Sequence, residues 1–374
     1  MKYTFFIIML SLFLGLVSYV IVRGCQVWRD VPIVRYGYLV IMLLLFVILM
    51  GSFVANFIKI PCARAVTLVG FSALIIFIYL IISFFLADIV RLANVVFHFA
   101  PKEMWLFRKW FFLCSLAVIA VSMIIGNYRF NHPKIVPLTV SLNHKTLLHK
   151  PLKIVMVSDL HLGITINKKR LQQYVTLINE QNPDIVLLAG DIFDNNIVPV
   201  VEQNMSEELQ KIRTPLGVFA VLGNHEYIGG KVEQKLAYLQ QANITVLQDS
   251  AVLVDNALWL IGRDDRSNPN RKSIAELVSA LDKSKPIILL DHQPYHLEEA
   301  AQNGINLQLS GHTHNGQFFP ITLLVKNMYE KAHGYLQKGN THYYISSGLG
   351  LWGAPYRIGS QSELVVITLR AGVQ

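Results

Sequence analysis

The sequence predicts an α/β domain carried behind four membrane-crossing helices. Three observations lead there. Four long apolar runs fill residues 1–127 of the 374. From residue 151 onward, short β-branched runs alternate with polar stretches of helical spacing, the pattern of an α/β fold. The charge divides at the same place: residues 1–127 hold 10 Lys/Arg and 3 Asp/Glu, whereas residues 128–374 hold 23 and 21. Most of the +9 net charge therefore belongs to the first third. Loop charges around membrane helices account for such an excess, and nothing in it suggests a nucleic-acid partner.

The apolar runs are 4–22, 37–58, 67–87 and 110–127, and none contains a charged residue. Crossing the hydrocarbon core takes about 20 apolar residues in a helix. The first run is long and lacks a small-residue cleavage site, so it reads as a span and not as a signal peptide. Asp88 marks the end of the third run. Transport usually needs ionisable groups inside the spans, so these four read as an anchor among membrane lipids and a guide for lipid. Cys25, Cys62 and Cys114 all fall in this part, which leaves the rest without a disulfide framework or a thiolate metal site.

Four spans put the N-terminus, the 59–66 loop and the C-terminal domain on one side. Lys2, Lys59, Arg64, Arg129 and Lys134 lie near the membrane there; Arg23, Arg29, Arg35, Arg91, Lys102, Arg108 and Lys109 lie on the other side. If positive loops stay inside, the balance describes a multi-pass protein of the plasma or inner membrane with its soluble domain on the exocytoplasmic side.

Residues 128–150 read as a polar connector with one strand-like run, KIVPLTVSL, and the domain occupies 151–374. Its helical stretches include KKRLQQYVTLINEQ, KVEQKLAYLQQA and SIAELVSALDK. Its strands are most informative where they stop. KIVMV runs out at Ser158, Asp159, Leu160 and His161; DIVLLAG at Asp191; GVFAVLG at Asn224 and His225; PIILL at Asp291 and His292; INLQLSG at His312, Thr313 and His314. One polar strand ending is an ordinary turn. Five endings built from Asp, His and Asn make a shared site at the carboxyl ends of the strands, where open α/β sheets collect ligands. In GHTHNGQ, two histidines two apart on an extended segment face the same way.

Oxygen from Asp and Asn, nitrogen from His and no sulfur suit Mn, Fe or Zn better than Ca or Cu(I). Asp159, His161, Asp191, Asn224, His292, His312 and His314 are more ligands than one ion needs. Two ions sharing a carboxylate accommodate all of them, the arrangement used for phosphoester hydrolysis.

SDLHLG, LAGDIFD, LGNHEY, LLDHQP and SGHTHNGQ, in that order, resemble the five motifs of the calcineurin-like metallophosphoesterases. The resemblance covers about residues 150–372 and leaves the apolar runs outside it. The tail ISSGLGLWGAPYRIGSQSELVVITL is similar to that of the membrane-associated bacterial branch with YkuE- and YaeI-type phosphodiesterases. The resemblance implies a four-layer αββα sandwich with two divalent ions at its strand ends. By position, Asp159, His161, Asp191 and His314 would hold one ion, and Asp191, Asn224, His292 and His312 the other, with Asp191 bridging. A hydroxide between the ions would attack phosphorus, and His225 would protonate the leaving oxygen or steady the transition state. Two positions depart from the family pattern. Glu226 replaces a commoner Asp and is expected to orient His225; Asn315 replaces a Gly, at a place where φ > 0 would favour Gly or Asn.

Several residues fall outside those motifs. Arg357 is expected to contact a substrate phosphate. Arg263, Arg266, Arg271 and Lys272 read as a solvated loop, Lys168, Lys169 and Arg170 as a solvated helix start, and Asp264 as a supporting carboxylate behind the ligands. His98, His132, His144, His149, His296, His333 and His342 are left out of the site. The expectation is a membrane-anchored dimetal phosphoesterase acting on a lipid-linked phosphomonoester or phosphodiester, a phosphodiester in preference. The alternative is a membrane interaction protein whose phosphoesterase-like domain has no activity; the complete ligand set argues against it.

Overall fold

A computed structural model describes residues 2–55, 62–100, 104–142 and 150–371. Residues 56–58 of the second apolar run, Lys59, Lys102, His144, His149 and the side chain of Lys2 lie outside the described part. The chain forms two compact units, Met1–Ile125 with Gly353–Pro355, and Gly126–Trp352 with Tyr356–Gln374.

The first unit contains α1 (Lys2–Val27), α2 (Pro32–Ala55), α3 (Ala63–Phe97) and most of α4 (Trp105–Asn131). All four helices are long and apolar enough to cross a membrane. α1, α3 and α4 overrun the apolar runs inside them at both ends. In α3, Asp88 does not end the helix, because its carboxylate accepts from Tyr19 at 2.8 Å, contacts Arg23, and pairs with Arg91 one turn on at 3.2 Å. A Cβ on Gly70 would lie 2.8 Å from the Ile48 carbonyl, so the close approach of α2 and α3 requires glycine there.

The second unit holds two six-stranded sheets. The strands are β1 (Lys134–Leu142), β2 (Leu152–Val157), β3 (Ile185–Ala189), β4 (Val218–Val221), β5 (Ile244–Val246), β6 (Ser250–Val254), β7 (Leu258–Gly262), β8 (Ile287–Leu290), β9 (Leu307–Ser310), β10 (Gly334–Lys338), β11 (Thr341–Ile345) and β12 (Glu363–Ala371). Their orders are β1-β12-β2-β3-β4-β5 and β10-β11-β9-β8-β7-β6. Strand alternation decides the layering. In β2, Ile154 and Met156 enter the core between the sheets, while Val155 and Val157 face a helix layer containing Leu171, Tyr174, Val175 and Ile178. In β8, Ile288 and Leu290 enter the same inter-sheet core; Ile287 and Leu289 pack on Ile274, Leu277 and Leu297. Helix, sheet, sheet and helix therefore stack in an αββα sandwich. The first of these helices, α5 (Lys168–Glu180), starts where Asn167 accepts the Arg170 amide at 3.1 Å, a side-chain N-cap.

The strand-like run 134–142 forms β1, which pairs in parallel with β12 from Lys134 to Leu142. Val140 and Leu142 are buried between the sheets. Pro137 is tolerated because β1 is an edge strand.

Candidate metal centre

Strands β2, β3 and β4 run parallel to one another, as do β8 and β9, so within each sheet their carboxyl ends share an edge. Asp159 and His161 follow β2, Asp191 follows β3, Asn224 and His225 follow β4, His292 follows β8, and His312 and His314 follow β9. Asp159 (φ 55°), His161 (φ 48°), Asp191 (φ 51°), His312 (φ 72°) and His314 (φ 49°) all sit in the left-handed region. L-residues enter it at a cost, and such backbones gather where a site dictates direction.

The side chains form three overlapping groups: Asp159 with His161 and His314, His161 with Asp191 and His225, and Asp191 with His292 and His312. Within each group the ligand atoms lie within 4.8 Å of one another. His161 Nε2 is 3.2 Å from His314 Nε2 and 3.7 Å from Asp191 Oδ2. His314 Nε2 is 3.5 Å from Asp159 Oδ1. Asn224 joins through its Oδ1, 2.8 Å from His312 Nδ1.

Two details test whether these residues fit cations. His292 Nδ1 lies 2.7 Å from the Ala189 carbonyl, so that nitrogen donates and Nε2 carries a lone pair in the neutral ring. Nε2 then faces Asp191 Oδ2 at 3.2 Å, lone pair against carboxylate, a contact that needs positive charge. Burial opposes that charge on the ring itself, yet Asp191 and Asp159 outweigh it and push the His292 pKa well up. The other imidazoles go the opposite way. Burial lowers His161 to about 3 and His312 to about 4, and it holds His314 well below the usual range. Neutral imidazoles beside buried carboxylates are the protonation states that bind divalent cations. Backbone fits closely around them: a Cβ on Gly190 would lie 2.4 Å from His292 Nδ1, and one on Gly223 would lie 2.2 Å from Asp191 Oδ1.

Residues 152–316 match the family model for calcineurin-like phosphoesterases. An uncharacterized metallophosphoesterase of Campylobacter jejuni is 32% identical over 76% of this chain and 76% of its own length. The chain belongs to the calcineurin-like phosphoesterase family. A Danio rerio transmembrane protein with a metallophosphoesterase domain is 29% identical over 88% of this chain and 80% of its own. Against an uncharacterized Helicobacter pylori metallophosphoesterase, 38% identical, the chain spans 60% of that protein's length.

Several expected roles change hands. His312 and His314 do not share a face: the segment turns through a 3-10 helix at His314–Gly316, and each histidine joins a different group. Asn315 adopts φ 48°, as a Gly replacement there requires. Glu226 does not orient His225. Its buried carboxylate accepts the amides of Gly223, Phe193 and Asp191 at 2.6, 2.9 and 3.2 Å. Burial, helped by the Asp191 charge, raises its pKa to about 7.

Asp194 faces His225 instead, Oδ1 to Nδ1, at 3.3 Å. Burial opposes an imidazolium at His225, but the Asp194 contact and the charges of Asp191, Asp194 and Glu226 outweigh it and raise the pKa. The sequence signal was there, in the second Asp of LAGDIFD, three residues after Asp191.

Arg357 is the largest correction. It is fully buried and reaches no open surface. Its guanidinium donates to the carbonyls of His314 at 3.0 Å, Gly348 at 3.1 Å and Gly350 at 2.5 Å, and Nε donates to Ser362 Oγ at 3.3 Å. It holds the His314 loop and has no route to a substrate. Arg263 is likewise buried, within 3.3 Å of Asp291 beside His292, and Arg271 approaches the same carboxylate at 3.4 Å. Asp264, also buried, accepts the Tyr227 hydroxyl at 2.7 Å, which ties down the short helix Asn224–Ile228 carrying Asn224 and His225.

Proposed function

We propose that this chain is a membrane-anchored phosphodiesterase using two divalent cations, with a lipid-linked substrate. The observation that carries the reading is the gathering of Asp159, His161 and His314 beside Asp191, His292 and His312, with His161 and His312 kept neutral by burial. Asp191 Oδ2 lies near both His161 and His292, which supports reading Asp191 as the ligand that both cations would share. Asn224 adds a neutral oxygen where an anionic phosphate must approach. The pair of cations supplies Lewis acidity toward the phosphoryl oxygens and a nucleophile at neutral pH.

His225, whose pKa is raised by its contact with Asp194 against the effect of burial, would supply a proton to the departing oxygen or charge to the transition state. Trp352 lies beside it, tilted by 40° with 6.4 Å between ring centroids. The lipid-linked part rests on the helix Ile321–Met328, which follows the GHTHNGQ loop and exposes Leu323, Leu324 and Met328 by 51%, 57% and 66%. An apolar helix face beside a phosphoesterase centre suits a substrate with an acyl or prenyl portion.

The test is turnover of full-length protein on bis-p-nitrophenyl phosphate, p-nitrophenyl phosphate and phosphatidylglycerol in mixed micelles. The reading expects the two diesters to be hydrolysed faster than the monoester. Hydrolysis of the monoester alone would move the enzyme to the monoesterases, and a Leu324→Ser variant with undiminished lipid turnover would remove the lipid argument.

A further inference from the structure

The membrane unit contains a cavity that takes no part in the phosphoesterase site. It has a volume of about 440 Å³ and is lined among others by Arg23, Asp88, Arg91 and Arg108, from α1, α3 and α4. Among the described residues three guanidinium groups line it against one carboxylate. Asp88 is already engaged: Oδ1 by Arg91 at 3.2 Å, and Oδ2 by both Arg23 and the Tyr19 hydroxyl. Asp30, the other described acid of this unit, pairs with Lys109 at 2.5 Å and does not line the pocket.

Among the described residues Arg108 is left without an ion pair. Its side chain is half-buried, and its Nε is enclosed with no hydrogen-bond partner. A buried, unpaired charged donor is costly, and more so beside like charges in a low-dielectric setting. Burial of this kind persists where a ligand completes it. An anion with several oxygens fits best, because planar guanidinium forks match phosphate geometry. Asn94 cannot supply the missing acceptor, since its amide is spent on the Ala100 backbone at 2.7 and 3.1 Å.

The walls bear on the source of that anion. Leu92 and Val95 line the same cavity and are 66% and 68% exposed. Apolar side chains presented outward beside a cationic pocket suit a molecule that carries both phosphate and acyl chains. We propose that the membrane unit binds the phosphate headgroup of an anionic lipid between Arg23, Arg91 and Arg108, as a site separate from the catalytic one.

The test uses delipidated full-length protein in detergent and native mass spectrometry, with phosphatidylglycerol, phosphatidylcholine and inorganic phosphate as probes. Phosphatidylglycerol is expected to bind as one retained molecule per chain, in preference to phosphatidylcholine, and not to be displaced by excess inorganic phosphate. Arg108→Gln should weaken that binding by at least about tenfold, the loss of one charge-assisted pair. Arg91→Gln, at a side chain 36% exposed, tests the same pocket without touching a buried group.

Hydrolysis of a soluble phosphodiester should be unchanged in both variants, and binding needs no turnover, so failure here is distinct from failure of the catalytic reading. Equal binding of the two lipids, or wild-type binding by both variants, would overturn the proposal. Displacement by inorganic phosphate would assign the pocket to the free anion and overturn the lipid source.

Discussion

Replacing Arg357 by methionine removes a charge from the interior while nearly keeping its volume. Three buried carbonyls, those of His314, Gly348 and Gly350, then lose their donor, and Ser362 loses a fourth contact. Leaving one buried group unpaired costs about 1–3 kcal/mol. The desolvation of the arginine itself is relieved at the same time, so the net loss is smaller than the sum, roughly 3–5 kcal/mol. For a domain of this size that corresponds to about 6–20 °C in the unfolding midpoint.

The assay is thermal unfolding of the full-length protein in detergent, with KM for bis-p-nitrophenyl phosphate measured below the transition. A large fall in midpoint, with metal retention reduced because His314 is no longer held, is the expected result. A midpoint within about 2 °C of wild type together with a raised KM would mean that Arg357 meets substrate, and would refute the structural role.

Three further outcomes follow from the same geometry. Asp194→Asn removes the carboxylate 3.3 Å from His225 and should lower kcat about 10- to 100-fold with both ions still bound by elemental analysis. His225→Ala should lower turnover by about 10²–10⁴ with the metal content intact, whereas Asp191→Ala should lose metal; equal depletion in the two would contradict the division of roles. A chain beginning at Lys150 lacks β1 and with it the burial of Val140 and Leu142, worth about 3–6 kcal/mol together, so it should aggregate or unfold early; a chain beginning at Gly126 should not, as size-exclusion chromatography and thermal unfolding will show.

The membrane runs and the ligand-bearing strand ends were legible because each is a local signal. An uncharged apolar run declares a span, and an apolar strand running into Asp or His declares a site whatever lies across the sheet. The parts that were not legible depend on partners distant in sequence. β1 was legible only as a strand-like run, with no sheet assigned to it, because its pairing partner, β12, lies more than two hundred residues on. His225 and Glu226 are neighbours in sequence, but on the helix Asn224–Ile228 consecutive side chains diverge by about 100°, so Glu226 turns to the amides and Asp194 meets the imidazole. Arg357 was misplaced for a related reason: sequence shows a cation near the site but not whether it faces solvent or carbonyls.

Metal stoichiometry with activity tests the account most directly. Purified full-length protein should carry two divalent ions per chain, lose turnover of bis-p-nitrophenyl phosphate on chelation, and regain it when Mn²⁺ is restored. Full turnover in a preparation shown by elemental analysis to be metal-free would contradict it.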